Sequence, residues 1–117
     1  MNDNFESEEE FTEYHIAKME ELSVKFAKAK ADRNYLDNYR KTLRAKIALE
    51  HSQKGVKSFQ SQTLLAEADD RYLEIIKALH TATRIETQCY WELERIKIQF
   101  ERWRTIRADY RASMNMK

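Results

Sequence analysis

The chain has no proline and a single glycine, Gly55, so almost nothing in its 117 residues interrupts a helix except near the midpoint. These absences predict two long helices folded back on each other, a shape that offers surfaces to partners and no cleft to a substrate. One cysteine, Cys89, excludes an internal disulfide and suits a reducing compartment. One glycine cannot build a glycine-rich phosphate loop. There is no run of about 18 apolar residues and no basic-then-apolar leader, so neither a membrane span nor a secretory signal is predicted and the cytoplasm is the expected location. His15, His51 and His80 lie far apart, with no neighbouring histidine or cysteine at ligand spacing. They read as surface or flanking residues, and no metal, cofactor or catalytic group is predicted. The expectation is a protein that is not an enzyme.

Charged residues make up 35% of the chain, too many for a compact globule of this size to cover, while the 42% apolar share is periodic and well above that of a disordered chain. The net charge of +1 hides a segregation. Residues 1–22 carry eight acids and one base, and residues 23–60 carry ten bases and three acids. Residues 61–90 are net −2 and residues 91–117 net +3. In an antiparallel hairpin the acidic opening lies beside the basic close, which favours that orientation.

Ser7 and Glu10 have capping-box spacing, and Glu8, Glu9 and Glu10 put negative charge at the positive end of the helix dipole, so a first helix is predicted over about 7–51. Within it Met19, Leu22, Phe26, Ala29, Arg33, Leu36, Arg40, Leu43 and Ile47 alternate steps of three and four, the spacing of a coiled-coil seam. Residues 52–58, with Gly55, form the break. Ser58 or Ser61 can cap a short helix over about 59–67, expected to lie across the hairpin on Phe59 and the leucines. A last helix is predicted over about 69–113. Its seam runs Tyr72, Ile75, Leu79, Ala82, Glu86, Cys89, Leu93, Ile96, Phe100, Trp103, Arg107 and Tyr110. The expected fold is all-α: one long antiparallel helical hairpin, coiled-coil-like, with a short helix at the tip.

Pairing the seams so that facing residue numbers sum to about 120 sets Arg33 near Glu86 and Arg107 near Glu13, each polar interruption meeting an opposite charge and so fixing the register. The other reading is that these arginines reach past the seam to water. Trp91 and Ile98 project from the side opposite the seam, with Ile16 and Val24 adding off-seam apolar surface on the first helix. Trp91, Ile98 and Trp103 are therefore candidate partner-binding residues, and a homodimer closing into a four-helix bundle is the simplest cover. A lone exposed tryptophan is the alternative. The basic stretch between Lys25 and Lys57, interleaved with Tyr35 and Tyr39, can follow a phosphate backbone while bases stack on the tyrosines. Arg40, Lys41, Arg44 and Lys46 are its candidate single-stranded nucleic-acid contacts, set against the plainer reading of a solvated helix face.

The closing segment, Tyr90-Trp91-Glu92-Leu93-Glu94 through Trp103-Arg104-Thr105-Ile106-Arg107-Ala108 to Ala112, resembles the C-terminal end of small helical proteins encoded by tailed bacteriophages and prophages. The layout is also similar, with a long charged helix, a short alanine-containing insert over residues 62–70 and an Asp69-x-x-Tyr72 start to the last helix. The resemblance implies a gene beside single-strand annealing recombination functions and no catalytic residues. It implies an adaptor or accessory factor of phage DNA recombination or metabolism, in the host-cell cytoplasm, contacting a phage or host protein of DNA metabolism. Two alternatives remain open. The acidic face from Glu6 to Glu13 can imitate phosphates and inhibit a host nucleic-acid-binding protein, or the hairpin can be a structural spacer.

Overall fold

A computed structural model describes residues 7–116 as an all-α helical hairpin of α1 (Glu8–Gln53), α2 (Phe59–Glu67) and α3 (Asp70–Asn115), with no strand among the described residues. Glu6, the first acid of the predicted acidic face, lies outside them. Each helix boundary has a local cause. Ser7 Oγ accepts from the Glu10 amide at 3.1 Å, and the three glutamates fill the first turn of α1. α1 ends where the Val56 amide donates to the His51 carbonyl at 3.0 Å and Gly55 takes a φ of 101°, the one positive φ among the described residues. Ser58 caps α2 through the Ser61 amide, and Asp69 caps α3 by accepting from the Arg71 amide at 2.8 Å.

The chain divides into two compact units, one formed by residues up to Ala27 and from Thr87, the other by Lys28–Glu86. α1 and α3 contribute an antiparallel pair to each. In the first unit Leu22, Leu93 and Ile96 are buried together with Met19 against them, and Cys89 is buried as a small apolar group. The predicted seam extends further towards the start of α1 than Met19. Phe11 and His15 are both buried, so His15 is a core residue and not the surface or flanking one expected from its isolation in sequence. Its imidazole stacks on Phe11 at 4.0 Å between centroids, and its Nδ1–H donates to the Phe11 carbonyl at 3.0 Å. At the other limit Tyr110 is 55% exposed, outside the seam, because the first turn of α1 already faces Arg107 and Arg111.

In the second unit Ile47 and Ala66 are fully buried with Tyr72, and Leu43 and Ala48 pack against them. This corrects the expected seating of α2: it approaches the helix pair through Ala66, while Phe59 is 79% and Leu64 59% exposed. A nine-residue helix crossing close to two others needs a small side chain at the contact, and at 100° per residue the neighbouring leucines then turn outward. Truncating Ile47 removes the atoms that α2 and α3 share. Ile47→Ala is expected to cost about 3 kcal/mol in unfolding free energy, read by urea denaturation followed by circular dichroism.

Candidate functional site

Opposite the buried stripe of α3 in the first unit, Trp91 and Ile98 are 58% and 63% exposed and line one shallow depression with Glu94, Arg95 and Gln99. Seven residues bring a helix back to nearly the same angle, so these two side chains form one column, facing away from buried Cys89, Leu93 and Ile96. Tyr90 holds the indole edge-on at 5.1 Å and itself leans on Phe26. On α1, Ile16 and Val24 are exposed and line a second depression with Met19, Glu20 and Ser23. Trp103, the third predicted partner residue, belongs elsewhere. It stacks on Phe11 at 4.3 Å and on Phe100 at 6.2 Å, so its ring packs within the first unit and does not join the Trp91 face.

The two predicted register pairs part company. Arg33 Nε donates to Glu86 Oε2, with only 29% and 19% of the two side chains exposed. Arg107, by contrast, faces Glu8 at 3.7 Å, and Arg111 bonds the same carboxylate. Glu13 is exposed, because it lies two positions past buried Phe11, about 200° round the helix from the seam. The aromatic stack of Phe11 on Trp103 and His15 on Phe100 sets this register. The acid that meets Arg107 is therefore more than one turn nearer the start of α1 than sequence spacing suggested.

Most of the predicted nucleic-acid set is engaged inside the second unit. Arg40 donates to Tyr72 Oη at 3.2 Å and to Asp37 at 2.9 Å, Lys41 lies 3.9 Å from Asp37, and Arg44 reaches Glu67 at 3.4 Å. The bond from Arg40 holds the Asp37 carboxyl below the usual carboxylate range, while Tyr72 and then Asp37 hold the Arg40 guanidinium above its own. Arg71 likewise lowers the Glu50 and Asp69 carboxyls through its bonds to them, and is raised in turn. Lys46 is exposed and makes no ion pair among the described residues. Tyr35 and Tyr39 stack on each other at 6.2 Å and 14°, 67% and 40% exposed.

Among the described residues, no group of three histidine, cysteine or acidic side chains could hold a metal ion, and no helix is long and apolar enough to cross a membrane. The one thiol, Cys89, is buried in the seam. The exposed faces carry an indole and an isoleucine on α3 and a pair of stacked phenols on α1. Sequence spacing located both, and it missed Phe11 and His15, whose signal was the pair of four-residue steps that lead from Phe11 through His15 into Met19. Comparison of the chain with protein-family models, characterised proteins and solved structures returns no match. A double-mutant cycle tests the Arg33–Glu86 contact. Arg33→Met and Glu86→Leu are each expected to destabilise more than the double variant does, with a coupling of about 1 kcal/mol in denaturant titrations.

Proposed function

We propose that the chain is a non-enzymatic helical adaptor that acts in phage DNA recombination or metabolism by presenting the outside of its helical hairpin to a protein partner, as a homodimer. The observation that carries this reading is the exposed Trp91–Ile98 column. Burying an indole and a butyl side chain from water is worth about 1.5–3 kcal/mol each, and the chain's own seam leaves both outside. The phage setting rests on the resemblance of residues 90–112 alone. Between α1 and α3 of the first unit a groove is lined by Glu8, Glu9, Glu13, Glu101, Arg104, Arg107 and Arg111. Glu8 is matched there by Arg107 and Arg111 and Glu101 by Arg104, so these groups serve ion pairing between and along the helices, which supports contact more than catalysis.

The acidic opening supports a DNA-mimic inhibitor less well, because Glu8 is matched by Arg107 and Arg111. Against a purified phage single-strand annealing protein, Trp91→Glu is expected to weaken binding at least tenfold in isothermal titration, with helix content unchanged by circular dichroism. Equal binding by wild type and variant would remove this face from the reading.

A second reading, direct contact with single-stranded DNA, is favoured by the stacked and exposed Tyr35 and Tyr39, with Lys46 about two turns beyond Tyr39 on the same helix. Its charge supply is smaller than the sequence promised, since Arg40, Lys41 and Arg44 already have partners. Binding of a labelled oligonucleotide should therefore be weak and fall with salt at a shallow slope of roughly 0.7 per phosphate contacted. Tyr39→Ala and Lys46→Glu should each reduce it at 50 mM salt or below, an order-of-magnitude working range. Absence of binding at the lowest salt removes this reading.

A further inference from the structure

Around the Trp91–Ile98 column the charges are sorted by sign. Taking Trp91 as the reference, Ile98 lies about 20° away, Glu94 and Glu101 lie about 60–80° round on one flank, and Arg95 and Arg102 lie about 20–40° round on the other. The two acids have only exposed partners three residues along, Lys97 and Arg104, each at 3.2 Å. Such pairs contribute little and exchange readily. Arg95 and Arg102 make no ion pair among the described residues.

From this arrangement we infer that a second copy of the chain covers the face, with its α3 running parallel to the first. The inference rests on the adaptor reading only in taking the chain to be dimeric, and it adds the sense. Because the same column serves the protein partner, the second copy holds the face in the free protein and the partner displaces it. A twofold axis along the helices sets Trp91 against Trp91 and Ile98 against Ile98 of the second copy, and brings the acidic flank of one helix against the arginine flank of the other. Glu94 then meets Arg95 of the second copy and Glu101 meets Arg102, and both contacts recur on the opposite flank. An antiparallel dimer has its twofold axis across the helices and does the reverse. It sets acids beside acids and arginines beside arginines along the whole contact, which disfavours it by like-charge repulsion. The face is thus self-complementary in one sense only. Its apolar centre is two residues per copy, well short of what holds an obligate dimer, so the association is reversible and concentration-dependent.

The test uses the full chain in sedimentation equilibrium over a concentration series. Wild type is expected to shift from monomer to dimer below about 1 mM, and Trp91→Glu to raise the dissociation constant at least tenfold with unchanged circular dichroism. Reversing Arg95→Glu and Arg102→Glu together should weaken the dimer, and adding Glu94→Arg and Glu101→Arg in the same chain should restore it. Thr105 lies on the same column, so in a Cys89→Ala background that retains the fold, Thr105→Cys should form a disulfide-linked dimer on mild oxidation. An antiparallel pairing centred on the column would hold the two thiols about 30 Å apart. A wild-type monomer throughout overturns the inference, as does a dimer indifferent to Trp91→Glu or a dimer whose Thr105→Cys thiols do not join. A wild-type chain that binds the annealing protein but stays monomeric fails this inference alone, and a wild-type dimer that does not bind the annealing protein fails the adaptor reading alone.

Discussion

Burial of one narrow stripe on each long helix is the constraint on which the rest of this molecule depends. A pair of helices has a single shared face, so each unit can remove few residues from water: Leu22, Leu93 and Ile96 in one, Ile47, Ala66 and Tyr72 in the other. Cores this thin tolerate a charge in the stripe only where an opposite charge meets it, which is the position of Arg33 and Glu86. A sequence that satisfies the stripe is left with most of its surface free to vary. Apolar side chains on that surface, Trp91 and Ile98 above all, are for that reason more informative than any buried residue.

The stripe was legible because its period is regular. Every predicted seam position from Met19 to Ile47 and from Tyr72 to Arg107 is buried or partly buried, and the break at Gly55, the Ser58 cap and the Asp69 cap follow from residue chemistry. Two parts were not legible. The beginning of α1 hides its seam behind a polar name, since a histidine between Phe11 and Met19 reads as solvent-facing until its ring is seen stacked among aromatics. The seating of α2 was misjudged because hydrophobicity ranks Phe59, Leu64 and Leu65 above Ala66, whereas the close crossing of three helices selects the smallest side chain.

The same distinction between composition and geometry governs the charges. The ten bases of residues 23–60 suggest an open cationic face, yet the structure distributes Arg33, Arg40, Lys41 and Arg44 among Glu86, Asp37, Tyr72 and Glu67. The Asp37, Glu50 and Asp69 carboxyls sit below their ordinary range because arginines bond them directly. Part of this charge joins one helix to another, through Arg33–Glu86, Arg40–Tyr72 and Arg44–Glu67, and part pairs within α1 on Asp37, so the free basic surface is narrower than the sequence count implies.

Both tryptophans belong to one unit, and they occupy opposite environments: Trp103 is sandwiched among aromatic rings and Trp91 faces solvent. Lys28–Glu86 holds no tryptophan, its phenol and phenyl rings being Tyr35, Tyr39, Tyr72 and Phe59. Selective indole excitation consequently watches half of the molecule, with a blue-emitting reporter inside and a quencher-accessible one outside. Any gap between its melting curve and the far-ultraviolet signal measures how cooperatively the two units come apart.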